Sequence, residues 1–135
     1  AWGRAHDARL GSSGVKYALD EGRGRMPDLS LFLAGRRPPA RGLVRSPPDI
    51  AIEIVSRGRN DVRRDRIEKV QDYAAFGVRW YWLVDPELRT FEVLELRDGA
   101  YSHTGAASTG RVSEIPGCDG LVLDLDSLWA EVDAI

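Results

Sequence analysis

A chain of 135 residues, 43% hydrophobic and 30% charged, is large enough to bury its own core and too apolar for a disordered segment. No apolar run approaches the ~20 residues of a membrane helix, and the lone Cys118 excludes an intrachain disulfide and a multi-cysteine zinc cage. The net charge of −2 does not by itself favour a nucleic-acid partner, but its distribution is uneven. Residues 36–66 carry nine Arg against Asp49, Glu53, Asp61 and Asp65, whereas residues 85–135 carry eleven acids against three Arg. The basic block surrounds Glu53, where phosphate contacts would be wanted; a solvated, arginine-decorated surface is the plain alternative. The expectation is one domain in a reducing cytoplasm. The chain opens on Ala1-Trp2-Gly3-Arg4, with neither an initiator Met nor a signal-peptide core, so residues before Ala1 are expected to be missing.

In chain order, Val15–Leu19 reads as a strand ending in the turn cluster 20–24, and Leu29–Leu33 as the next strand. Residues 34–47, with Gly35, Pro38, Pro39, Gly42 and Pro47, are too rich in Pro and Gly for regular structure. Ile50–Val55 is a β-branched strand expected near the middle of a sheet. Asn60 or Asp61 can cap a helix running to Phe76, which Gly77 stops. Steps of 100° put Val62, Ile67, Val70, Tyr73 and Ala74 on its apolar stripe, Arg64, Asp65, Glu68 and Asp72 opposite, and Lys69 on the border. Trp80–Val84 reads as a strand before the turn Asp85-Pro86, with its consecutive aromatics taken as core. Thr90–Leu96 should pair with it. Leu121–Leu125 reads as a last short strand, followed by a helix at Asp126–Val132 capped by Asp126 or Ser127. The order β-β-β-α-β-β-(β)-α gives a mixed α/β domain.

Two acids interrupt these buried runs. Asp28 lies in Met26-Pro27-Asp28-Leu29-Ser30-Leu31-Phe32 and Glu53 in Pro48-Asp49-Ile50-Ala51-Ile52-Glu53-Ile54-Val55-Ser56. A buried carboxylate is costly unless it is paired or bound to a cation. If the two strands pair antiparallel with Phe32 facing Asp49, then Asp28 faces Glu53 with Cβ atoms about 5 Å apart. Asp49 shares a face with Glu53 but lies about 13 Å along the strand. Two carboxylates so close repel unless a cation intervenes. Mg²⁺ suits two carboxylates, waters and a phosphate oxygen, and Lys69 on the following helix could orient a water or offset phosphoryl charge. The pattern suggests a metal-dependent phosphodiesterase site of Asp28, Glu53 and Lys69. Each residue also has a structural reading: Asp28 can end a strand or accept backbone N–H groups, Glu53 can pair with an Arg, and Lys69 can snorkel. Cys118 has no basic neighbour to activate it, and His6 and His103 lack metal-ligand spacing.

From Pro27 onward the chain resembles the Uma-type restriction endonuclease family of the PD-(D/E)xK nuclease superfamily. The resemblance rests on Pro27-Asp28-Leu29, Pro48–Ser56, Asp65-Arg66-Ile67-Glu68-Lys69 with Tyr73, Gly77–Pro86, Ile115-Pro116-Gly117 and Leu121-Val122-Leu123. It implies a restriction-endonuclease-like mixed β-sheet flanked by helices. It also implies Asp28 and Glu53 as Mg²⁺ or Mn²⁺ ligands of a DNA endonuclease, acting without a membrane, with a homodimer left open. Val55 occupies the place of the motif's lysine, which the reading relocates to Lys69. Family members usually begin with helices, and the expectation here is a domain lacking its N-terminal helices. The alternative is a nuclease-fold module that binds nucleic acid or protein without cleaving.

Overall fold

A computed structural model of the chain describes residues 9–11, 17–20, 23–25, 28–33, 46–55 and 62–134. Its elements are β1 (Arg9–Gly11), β2 (Tyr17–Asp20), β3 (Arg23–Arg25), β4 (Leu29–Phe32), β5 (Ile50–Ile54), α1 (Val62–Phe76), β6 (Trp80–Asp85), β7 (Thr90–Arg97), β8 (Ala100–Ala107), β9 (Arg111–Val112), β10 (Leu123–Asp124) and α2 (Leu125–Asp133). Six strands form one mixed sheet in the order β1-β4-β5-β6-β7-β8, and β2–β3 and β9–β10 form two small antiparallel pairs. The expected Arg-rich block, the Pro/Gly-rich segment before Ser46 and the caps Asn60 and Asp61 fall largely or wholly outside the described residues.

β4 and β5 pair antiparallel with Leu29 opposite Ile52, Ser30 opposite Ala51 and Leu31 opposite Ile50. β5 and β6 run parallel, as the intervening helix α1 demands of a crossover connection. From β6 the chain meanders through β7 and β8 by tight antiparallel turns. The first of these is set by Asp85, whose Oδ1 accepts the N–H groups of Glu87 and Leu88 at 3.0 and 2.9 Å.

Strand periodicity divides the core between the two faces of the sheet. Ile50, Ile52, Trp80, Trp82, Phe91 and Val93 pack on one face with Ile115, Cys118, Leu125 and Trp129. Ala51, Val78, Tyr81 and Leu83 pack on the other with Tyr73 of α1. The aromatic run of β6 is therefore core on both sides, as expected. Gly117 lies flat on the Trp80 ring: a Cβ there would sit 2.4 Å from it, and the residue's φ of +76° suits glycine. Burial pushes the Cys118 thiol up to about 11, which leaves it inert at neutral pH.

Three expectations change. The buried side of α1 is rotated toward Lys69, Asp72 and Phe76: Asp72 is buried while Ile67 is 55% exposed. The final helix starts one residue early, because Asp124 is its cap and its Oδ1 accepts the Ser127 N–H at 3.1 Å. β8, like the short β1, β3 and β9, has no counterpart in the sequence reading. Its small and polar residues Ala100–Ala107 are mostly exposed and lack the alternation that marks a half-buried strand.

Candidate functional site

β5 carries Ala51 and Glu53 on the face that α1 covers, since side chains two apart share a face. The register of β4 against β5, continued by one residue, sets Asp28 opposite Glu53. β4 begins at Leu29, and the carboxylate of the preceding Asp28 continues the ladder in place of backbone: its Oδ2 accepts the Ile54 N–H at 2.7 Å. That contact fixes Asp28 at the sheet's end, beside Glu53.

Glu53 is 6% exposed. Its Oε1 accepts a 2.8 Å hydrogen bond from the hydroxyl of Tyr73, which is itself 1% exposed. Lys69, one helical turn before Tyr73, points its ammonium at Oε2 from 3.5 Å, with about a quarter of its side chain exposed. Asp28 lies within hydrogen-bonding range of Glu53 and adds its own negative charge. Burial is the chief cause that pushes the Glu53 carboxyl up from 4.5 to about 7; Asp28 adds to the rise, and Lys69 and Tyr73 oppose it. Burial thus outweighs Lys69 and Tyr73 and moves the Glu53 carboxyl into the neutral range.

All three residues singled out from the sequence, Asp28, Glu53 and Lys69, meet at this end of the sheet. Asp49 does not join them. Its Oδ2 accepts the Leu33 N–H at 2.7 Å, at the far end of the β4–β5 pair, where it has a backbone-holding role. Among the described residues Glu53 pairs with Lys69 rather than an Arg. The hydroxyl of Tyr73 is not anticipated from the sequence, in which Tyr73 reads as part of the apolar stripe. A usable signal was present: Tyr73 follows Lys69 by four residues, so the two share a helix face.

The arrangement suits a small hard cation. Each carboxylate is anchored through one oxygen by a short bond to a protein donor, from Ile54 N–H or Tyr73 hydroxyl. Their proximity to each other is what a bound cation would relieve. Among the described residues no group of three or more His, Cys, Asp or Glu side chains could hold a metal. Two carboxylates match the way Mg²⁺ is commonly held, with waters and substrate phosphate completing its shell.

No helix among the described residues is long and apolar enough to cross a membrane. The chain is similar in fold to the crystal structure of a "putative nuclease belonging to DUF820" from Anabaena variabilis ATCC 29413, with a TM-score of 0.71 at 20% identity, covering 93% of this chain and 70% of that one. No curated protein matches the chain. The family model Uma2, described as "Putative restriction endonuclease", matches residues 1–126. With that match spanning nearly the whole chain, the protein belongs to the Uma2 restriction endonuclease family.

Proposed function

We propose that the protein is a divalent-metal-dependent endonuclease that hydrolyses DNA phosphodiester bonds, with Asp28 and Glu53 holding Mg²⁺ or Mn²⁺ and Lys69 serving the reaction. The observation that carries this reading is the convergence of Lys69, Asp28 and the buried Glu53, whose carboxyl is raised to about 7. When bound, the metal would supply charge stabilisation at the phosphoryl group and an acidified water. Asp28 and Glu53 would bind and orient it. The Lys69 ammonium, on the partly exposed side of Glu53, would hold the attacking water or the non-bridging phosphate oxygen. The packed β5, β6 and α1 supply a rigid base, which keeps these groups from reorganising as charge develops.

DNA is favoured as substrate by the family and by the nine Arg of residues 36–66, which flank Glu53 in sequence and would meet phosphates. The lone buried Cys118 suits a reducing cytoplasm. Plasmid and single-stranded DNA cleavage tests the reading. Nicking or cutting should require Mg²⁺ or Mn²⁺, stop on chelation, and be lost in Asp28→Ala. Cleavage that persists in excess chelator, or an Asp28→Ala variant as active as the parent, would overturn it. Metal-independent DNA binding without any cleavage would favour the binding-module alternative.

A further inference from the structure

Lys69 and Tyr73 reach Glu53 from the same face of α1, but they hold it differently. The Tyr73 hydroxyl is 2.8 Å from Oε1, whereas the Lys69 ammonium is 3.5 Å from Oε2, at the outer limit of a hydrogen bond. Oε1 is the committed oxygen. The ring that carries the hydroxyl is fixed independently of Glu53. It stands edge-on to Tyr81 at 5.2 Å and 87°, and Tyr81 stands edge-on to Tyr101 at 5.8 Å and 76°. The Tyr101 hydroxyl donates to the Val78 carbonyl at 2.6 Å. The Val78 N–H in turn donates to the Tyr73 carbonyl at 3.1 Å, which closes the chain of contacts on the end of α1. Tyr73, Val78 and Tyr81 are all essentially fully buried. A ring held this firmly dictates the carboxylate's orientation and does not follow it.

We infer that Tyr73 is a positioning residue of this site: its hydroxyl occupies Glu53 Oε1, so that Glu53 meets a cation through Oε2 alone, which selects a small octahedral ion such as Mg²⁺ over Ca²⁺. The inference rests on the metal reading above. Mg²⁺ needs near-ideal octahedral geometry with single oxygens, whereas Ca²⁺ accepts more oxygens and two from one carboxylate. A glutamate with one oxygen already bonded to a phenol is a poor bidentate ligand. Removing that hydroxyl frees Oε1, weakens the orientation that Mg²⁺ requires and opens the bidentate mode that Ca²⁺ tolerates.

Calorimetric titration of the full chain with Mg²⁺, and separately with Ca²⁺, tests this in the parent, Tyr73→Phe, Tyr101→Phe and Glu53→Gln. Tyr73→Phe should weaken Mg²⁺ binding by about 10-fold or more, in the range seen for groups that orient metal ligands. It should weaken Ca²⁺ less, or strengthen it, so the preference for Mg²⁺ shrinks. Tyr101→Phe loosens the chain that holds the ring but keeps the Tyr73 hydroxyl on Oε1, so it should shrink that preference less than Tyr73→Phe does. Equal Mg²⁺ affinity and preference in the parent and Tyr73→Phe, with binding lost in Glu53→Gln, would overturn the role of Tyr73 and leave the metal site standing. A parent that binds neither ion, or binds them as Glu53→Gln does, would overturn both. Should Tyr73→Phe fail to fold, the chain carrying 3-fluorotyrosine at position 73 keeps ring and hydroxyl. Its fluorine resonance should shift on Mg²⁺ addition and not do so in the Glu53→Gln background. No shift in the parent background would overturn the inference.

Discussion

Glu53→Gln should give a folded protein that is more stable at pH 8 than its parent and has lost its metal-dependent cleavage by several orders of magnitude. The amide keeps the shape of the side chain. Its oxygen can still accept from the Tyr73 hydroxyl, and its NH₂ can donate to Asp28, so two repelling acids become a hydrogen-bonded pair. The stability gain follows from linkage. At pH values well below 4.5 the Glu53 carboxyl is protonated in both the folded and unfolded chain. Between 4.5 and about 7 the folded chain retains a proton that the unfolded chain has released, so stability falls as pH rises through that window and stays reduced above it. The full drop corresponds to about 3 kcal/mol. The favourable Lys69 contact is already contained in that net rise, so the gain at pH 8 should be up to about 3 kcal/mol. Urea unfolding of both proteins from pH 4 to pH 8 reads it directly. The gap should open with rising pH and level off above neutrality; a constant gap, or a variant less stable at pH 8, would show that Glu53 is not raised.

The second large effect belongs to Lys69. Lys69→Met keeps an unbranched aliphatic side chain at this partly buried position of α1 and removes the ammonium, so the fold should be retained. Loss of a positioned donor to developing phosphoryl charge costs on the order of 10²-fold in rate or more, and cleavage should fall by that much. Well above neutral pH, where Glu53 is ionised in both proteins, metal affinity should hold or tighten, because a positive charge 3.5 Å from Glu53 Oε2 competes with a cation there. The Glu53 carboxyl should also titrate higher, since Lys69 is the main influence that lowers it. Single-turnover cleavage at saturating Mn²⁺, set beside metal titration, separates these effects. A variant that cleaves within a few-fold of its parent would remove Lys69 from the reaction.

Much of this site could be read from residue order because its parts obey strong periodic rules. The alternation of β5 places Glu53 on the face of Ala51, and the antiparallel register set by Leu29 and Ile52 brings Asp28 to it. The 100° spacing of α1 brings Lys69 to the edge of the buried stripe. Elements whose physics is weakly encoded escaped. β8 has no apolar alternation, and its pairing with β7 is imposed by the neighbouring strand across a short turn. The burial of Asp72 and exposure of Ile67 rotate α1 away from its hydrophobic stripe, because the helix is positioned by Tyr73 and Phe76 and by its polar contact with Glu53. In a sequence, a tyrosine on an apolar stripe reads as core; only the register of β5 against α1 shows that its hydroxyl has an acid to hold.

The most direct measurement of the central claim is anomalous diffraction at the manganese edge from crystals grown or soaked with Mn²⁺. The expected result is one strong peak within ligand distance of both the Asp28 and Glu53 carboxylates, lost in crystals of Glu53→Gln. A well-ordered site in Mn²⁺-saturated crystals with no peak between the two acids, and with Glu53 still bonded to Tyr73 and Lys69, would contradict it.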